Sequence, residues 1–318
     1  MKNIAILTSG GDSQGMNAYI HKLVNLLVKN KFNVYGINRG YQGLLDEDIV
    51  KLNKKDVENI SFMGGSILKT ARCKEFYLQS GVEKGYNILK KYKIDCLVVL
   101  GGNGSYIGAI DLMKFGAKVI CIPGTIDNDL FYSDISLGFD TAVNNAVDAI
   151  EKIKQTMSAN NRGVIVEVMG RNCGNIALNT ALSVNANALI INEDKKSVKN
   201  AVAYVEKAIE NGVLSPVVVA QENIIDGNKL AEKFAKKFKK QFKFERIGYT
   251  QRGGSPTVKD KIYANLLAIQ TMNNILNGEF NIAIGMKKEK IFNISLNDIL
   301  NKESNFNKNL YDLFISNL

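Results

Sequence analysis

Three short stretches carry residue types at spacings suited to phosphate chemistry. The first is Thr8-Ser9-Gly10-Gly11-Asp12-Ser13-Gln14-Gly15-Met16-Asn17. Its paired glycines let backbone approach a phosphate closely, and a helix starting just after it favours an anion by about 0.3–1 kcal/mol. It is neither a Walker A loop nor a G-x-G-x-x-G run, and by itself it is equally a tight turn. The second, Gly101-Gly102-Asn103-Gly104-Ser105, repeats the design after Val98-Val99-Leu100. The third, Pro123-Gly124-Thr125-Ile126-Asp127-Asn128-Asp129, places two carboxylates two residues apart at the end of an apolar run. One acid there can take a hydroxyl proton while the other helps hold a metal, as phosphoryl transfer requires. An Asx turn with exposed acids is the plainer alternative, which the two neighbouring glycine loops disfavour.

Two arginine motifs follow later apolar runs: Val168-Met169-Gly170-Arg171 and Gln251-Arg252-Gly253-Gly254-Ser255-Pro256. The guanidinium fork matches phosphate geometry, although either arginine alone would also suit a surface ion pair. Other chemistries are excluded by what is scarce. The single histidine, His21, and four scattered cysteines, Cys73, Cys96, Cys121 and Cys173, contain no C-x-x-C pair and cannot build a zinc site. Buried thiols in a reducing compartment are the expected state.

The elements that must position these loops alternate along the whole chain. Strands are expected at Asn3–Leu7, Phe32–Ile37, Asp95–Leu100, Lys118–Ile122, Gly163–Met169, Ala188–Ile191, Pro216–Ala220 and Phe244–Thr250. Helical patterns fall at Gly15–Lys29 and Ser105–Phe115, with further helices between the later strands. This order predicts an α/β protein of mostly parallel sheets sandwiched by helices, which bind ligands beyond the carboxyl ends of their strands.

The 318 residues suffice for one large α/β unit or two modest lobes. Their net charge of +10 invites a nucleic-acid reading. Yet Leu230, Phe234, Phe238 and Phe242 recur every four residues through the densest lysine run, which reads as a buried helical stripe with a solvated basic face. A diffuse positive field also suits phosphate-bearing substrates. No nucleic-acid partner is expected. The absence of an apolar run of about 18 residues argues against a membrane partner, and the short apolar start before Thr8 against a signal peptide. A cytoplasmic location is expected.

Taken in order and spacing, GGDSQGMNA, PGTIDND, VEVMGR and TQRGGSP resemble the bacterial ATP-dependent 6-phosphofructokinases over nearly the whole chain. The resemblance implies two lobes, 1–138 plus 251–303 binding ATP and 139–250 plus 304–318 binding the sugar phosphate. It implies magnesium as cofactor, ATP and fructose 6-phosphate as small-molecule substrates, and a homotetramer with active sites shared between subunits. Carried over by motif, the resemblance implies Asp127 as the base toward the sugar 1-hydroxyl, Thr125 as a catalytic-site residue that helps bind the substrate, and Arg171 as stabilising the transferring phosphoryl group. Gly11, Tyr41, Arg72, Cys73, Gly102, Asn103, Gly104, Ser105 and Gly108 are implied to line the nucleotide site. Thr125, Ile126, Asp127, Met169, Gly170, Arg171, Glu222, Lys243, Tyr249, Thr250, Gln251 and Arg252 are implied for the sugar phosphate, with Arg162 reaching in from a neighbouring subunit. Asn103 and Asp129 are implied at the metal. Gly104 and Gly124 are the small residues of ATP users, where pyrophosphate-dependent relatives carry Asp and Lys.

Several positions depart from that pattern. Asn103 replaces a metal-binding aspartate, and a neutral amide oxygen is a poorer magnesium ligand. Lys243 stands for arginine and Tyr249 for histidine in the sugar-phosphate pocket. His21, Asn25, Lys54, Asn187, Val213 and Leu214 replace the charged residues of the family's effector site, so weak allosteric control is expected. The departures keep a second reading open: a catalytically weak paralogue acting as a nucleotide-binding or regulatory subunit.

Overall fold

The computed structural model describes residues 2–299 and 305–318. In chain order these form β1 (Asn3–Thr8), α1 (Met16–Lys29), β2 (Asn33–Ile37), α2 (Gly40–Leu45), β3 (Ile49–Leu52), α3 (Gln79–Lys91), β4 (Cys96–Gly101), α4 (Asn103–Lys114) and β5 (Val119–Pro123). There follow α5 (Phe139–Ala159), β6 (Gly163–Val168), α6 (Asn175–Ser183), β7 (Ala188–Ile190), α7 (Ser197–Glu210), β8 (Val217–Gln221), α8 (Gly227–Phe238) and β9 (Phe242–Arg246). The chain ends with α9 (Val258–Asn277), β10 (Ile282–Lys287), β11 (Lys290–Ser295) and α10 (Lys308–Ser316). The α/β class read from the sequence holds.

The chain divides into two compact units. Met1–Ile126, Leu130–Asp140 and Arg252–Asn305 make the first; Asp127–Asp129, Thr141–Gln251 and Phe306–Leu318 make the second. The lobe boundary expected at 303/304 lies outside the described residues.

In the first unit a seven-stranded sheet runs β11-β10-β5-β4-β1-β2-β3. Its centre is parallel, with β3 and β11 antiparallel at the edges. Alternation along the strands explains why their sequences read as continuous apolar runs. Ile4 and Ile6 of β1, Val98 and Leu100 of β4, and Ile120 and Ile122 of β5 pack into one core with Leu23 and Leu27 of α1. Ala5, Leu7, Leu97, Val99, Val119 and Cys121 face a second core with Tyr106 and Leu112 of α4. Each fully buried aliphatic side chain stabilises the fold by about 1.5–3 kcal/mol.

The second unit holds a four-stranded parallel sheet, β7-β8-β6-β9. Ile165, Ile190, Val218 and Ala220 pack against Ala201 and Val205 of α7 and Leu230 and Phe234 of α8. The stripe Leu230–Phe242 is only partly helical. Lys239, in a left-handed conformation (φ 48°), ends α8 at Phe238. Phe242 opens β9 and meets Phe234 edge-on, ring centres 5.2 Å apart. The strand expected at Phe244–Thr250 is corrected to Phe242–Arg246, and a 3-10 turn covers Gly248–Arg252.

Candidate active site

The nucleotide-type loops begin at one level of the first sheet. Thr8 pairs with Leu100, and Gly101 with Pro123, so β1, β4 and β5 end side by side. Ser9 N donates to Leu100 O at 2.9 Å, and Gly124 N to Gly101 O at 3.0 Å. A Cβ on Gly102 would sit 3.4 Å from the Thr125 Cβ, which shows how closely the second and third loops approach. The loops holding Gly11, Gly102–Ser105 and Thr125 therefore share one carboxyl edge. Among the described residues no side-chain hydrogen bond caps the N-terminus of α1 or α4, which leaves that end suited to a phosphate.

Individual residues split into those facing outward and those bracing the loops. Gly11, Asn103, Gly104 and Arg72 are exposed, and a Cβ on Gly104 would meet nothing within 4 Å. Tyr41 is buried and works from beneath: its hydroxyl donates to Ser105 O at 2.6 Å while its ring stacks on Phe76 at 4.2 Å. Gly108 makes room for it, since a Cβ there would lie 2.8 Å from the Tyr41 ring. Burial pushes the Tyr41 hydroxyl pKa well above its ordinary value. Cys73 is buried as well, and desolvation raises its thiol pKa.

Thr125 is anchored where the acid loop starts: Ser136 Oγ donates to its carbonyl at 2.6 Å, and Leu137 N donates to Pro123 O at 2.7 Å. Ile126 is buried, whereas Asp127 and Asp129 are half-buried. Asn128 between the acids takes a left-handed conformation (φ 50°), which asparagine tolerates better than most residues. Asn175 Nδ2 holds it in the second unit by donating to its carbonyl at 2.9 Å.

Also in the second unit, the Met169–Arg171 turn is built on unusual backbone. Gly170 has φ 136° and Arg171 φ 30°. Glu222 stabilises that turn: its Oε1 accepts from Gly170 N at 3.2 Å and from Arg171 N at 2.9 Å. Gln221 Nε2 donates to both carbonyls of the pair at 3.3 Å. Met169 N donates to Gln251 Oε1 at 3.2 Å, joining this turn to the 248–252 segment. The Arg171 side chain is exposed, as are Tyr249 and Thr250.

Not every expected residue comes together within one chain. Arg162 precedes β6 and Lys243 lies opposite Val164, at the far end of the sheet from Met169 and Tyr249. At roughly 3.3 Å per residue, that is about 20 Å of strand. Arg252 lies in the first unit, where its Nη2 donates to Asp12 O at 2.9 Å and to Asp12 Oδ1 at 2.5 Å. Asp12 stood in the first loop without a role, and no local spacing links it to a residue 240 positions away.

Comparison with known proteins settles the family. Residues 3–275 match phosphofructokinase. The chain belongs to the phosphofructokinase family. It is 42% identical over 313 residues to the ATP-dependent 6-phosphofructokinase of Clostridioides difficile, with 98% of each chain covered. It is 39% identical over 313 residues to ATP-dependent 6-phosphofructokinase 1 of Clostridium perfringens, again with 98% of each covered. Among solved structures it resembles phosphofructokinase of Saccharomyces cerevisiae, with TM-score 0.86 and 27% identity over 94% of this chain and 45% of that one. The chain thus spans less than half the length of the yeast phosphofructokinase. A pyrophosphate-dependent phosphofructokinase from Marinobacter aquaeolei shares the fold at TM-score 0.86 and 19% identity, with 95% and 85% covered.

Proposed function

We propose that this chain is an ATP-dependent 6-phosphofructokinase, moving the γ-phosphoryl group of ATP to the 1-hydroxyl of fructose 6-phosphate in glycolysis. The supporting observation is the common level at which β1, β4 and β5 deliver two uncapped glycine-rich helix starts and Thr125, with two acids immediately beyond. Gly11 and Gly102–Ser105 hold the nucleotide, Tyr41 and Gly108 brace Ser105, and Arg72 and Cys73 complete the same wall. Ile126, Met169, Gly170, Glu222, Tyr249, Thr250, Gln251 and Arg252 take the sugar phosphate.

Asp127 accepts the proton of the 1-hydroxyl as its oxygen bonds to the γ-phosphorus. The bond from that phosphorus to the β–γ bridging oxygen breaks, and ADP leaves. Arg171, held out by the turn that Glu222 stabilises, neutralises charge on the moving group. The donor set suits magnesium: Asp129 is a hard carboxylate, Asn103 adds an amide oxygen, and the nucleotide phosphates supply the rest. No group of three or more His, Cys, Asp or Glu side chains able to hold a metal occurs among the described residues. Bound there, magnesium would offset the negative charge of the phosphates.

The active assembly is a cytoplasmic homotetramer with shared sites. Support comes from Arg162 and Lys243, which lie too far along the sheet to serve Met169 of their own chain. An exposed apolar stripe on α9 (Val258, Ile262, Leu266, Ile269 and Leu276) adds to it. Among the described residues no helix is long and apolar enough to cross a membrane.

An ADP-coupled assay with ATP, magnesium and fructose 6-phosphate tests the proposal against Asp127→Asn. Losing the base is expected to reduce turnover by about 10²–10⁴-fold with the melting temperature unchanged. Equal rates in both proteins would remove Asp127 from its role.

A further inference from the structure

The motif VEVMGR contains a carboxylate, Glu167, that the proposed reaction does not use. It lies on β6, one residue before the strand ends, and is 3% exposed. Its Oε1 accepts from Arg246 Nε at 2.5 Å, and its Oε2 has no hydrogen-bond partner among the described residues. Arg246 is the last residue of β9, directly opposite Glu167 in the parallel register. Its side chain is 65% exposed, and its guanidinium lies 6.0 Å from the centre of the Phe244 ring.

Placement gives this pair its meaning. Among the described residues β9 is an edge strand, paired with β6 alone. Both strands end on segments assigned above to the sugar phosphate: β6 on Met169–Arg171, β9 on the Gly248–Arg252 turn. The ion pair links the two strands at their carboxyl ends, one residue before β6 stops and at the last residue of β9. Just beyond it Ile247 N donates to Glu167 O at 3.1 Å, Met169 N to Gln251 Oε1 at 3.2 Å, and Gln251 Nε2 to Gly248 O at 3.1 Å. An edge strand lacks support on its outer side, so sideways movement of its end is resisted mainly by these links. A buried carboxylate with a single side-chain partner among the described residues is a poor choice for stability alone, because apolar packing serves as well. It is a good choice for fixing one register and one direction.

We propose that Arg246, acting through Glu167, is a positioning residue that sets the spacing of the two sugar-phosphate segments and hence the affinity for fructose 6-phosphate. The inference rests on the assignment of those segments to the sugar phosphate. Neither side chain touches substrate or reacting atoms. Loss of the pair therefore weakens sugar-phosphate binding and leaves nucleotide binding and the chemical step in place.

The test measures fructose 6-phosphate binding by calorimetry, steady-state kinetics and thermal unfolding on the full chain carrying Arg246→Met, Arg246→Lys or Glu167→Gln with Arg246→Met. Arg246→Met should raise the Kd and KM for fructose 6-phosphate about tenfold, with KM for ATP and kcat within twofold of the parent. Arg246→Lys, which keeps charge but loses the Nε geometry, should fall between. The double variant removes the stranded buried charge, so its melting temperature should recover while its affinity does not. Affinity that stays at the parent value in Arg246→Met, or that returns with stability in the double variant, overturns the positioning role. Arg252→Ala serves as the control on the underlying assignment. If it too leaves fructose 6-phosphate binding unchanged, the assignment fails and the inference falls with it; if it alone weakens binding, only the inference fails.

Discussion

Arg252 hydrogen-bonds through Nη2 to both the carbonyl and the carboxylate of Asp12, at 2.9 and 2.5 Å. An arginine expected at the sugar phosphate is thereby tied to the glycine loop expected at the nucleotide. Gly11 is what lets the guanidinium seat there, because a Cβ at that position would lie 2.4 Å from Nη2. The glycine thus serves a side-chain approach as well as any phosphate approach.

Gly11→Ala follows from that contact. The obstructed atom is the far end of a flexible side chain, so the chain should still fold, less stable than the parent by no more than the contact it gives up. Arg252 must swing away, losing a charge-assisted bond worth about 1.5–3 kcal/mol. KM for fructose 6-phosphate should rise roughly tenfold or more. Kinetics beside a melting curve check it: an unchanged KM would separate Gly11 from the placement of Arg252.

Asn103→Asp restores a charged oxygen at an exposed position opening α4. Since magnesium favours carboxylate over amide oxygen, the magnesium concentration for half-maximal rate should fall about tenfold, equivalent to roughly 1.4 kcal/mol. A magnesium titration at saturating ATP reads this directly. Superimposable titrations would show that Asn103 lies outside the ion's reach.

Arg162 and Lys243 sit at the wrong end of their own sheet to meet Met169. Arg162→Ala and Asp127→Asn should therefore each be inactive alone yet regain activity when unfolded together and refolded as mixed assemblies. Sites combining one intact half from each subunit account for the recovery. Mixtures that stay as inactive as the separate variants would place Arg162 in its own chain's site.

Burial raises the pKa values of Cys73, Cys96 and Cys121, and of Tyr41, Tyr106 and Tyr132. The sign is fixed by linkage: above about pH 9 the unfolded chain releases protons that the folded chain retains, so stability falls as pH rises. Each group contributes at most about 1.4 kcal/mol per pH unit, and nothing between pH 6 and 8. Urea midpoints at pH 7.5, 9 and 10.5 should decline over the last interval. A constant midpoint would mean these groups titrate normally in the folded protein.

The site was legible where its signal is local. β1, β4 and β5 are buried on both faces, so each reads as a short apolar run, and the glycines or acids that follow mark the carboxyl edge. Edge elements carried no such signal. Every residue of β11 is partly exposed or exposed, and two of the four residues of β3 are exposed with Lys51 among them, so neither shows a continuous apolar run. Phe242 misled because a helical spacing of four continued past the turn at Lys239 into a strand. The Asp12–Arg252 and Glu167–Arg246 pairs were invisible because tertiary folding alone joins residues 240 and 79 positions apart.

The most direct measurement is phosphorus NMR of the purified chain incubated with ATP, magnesium and fructose 6-phosphate. The account predicts a new phosphomonoester at the sugar 1-position, growing one-for-one with ADP and absent when fructose 6-phosphate is omitted. ADP that forms at the same rate without the sugar, or a sugar phosphate that stays unchanged while ATP persists, would contradict it.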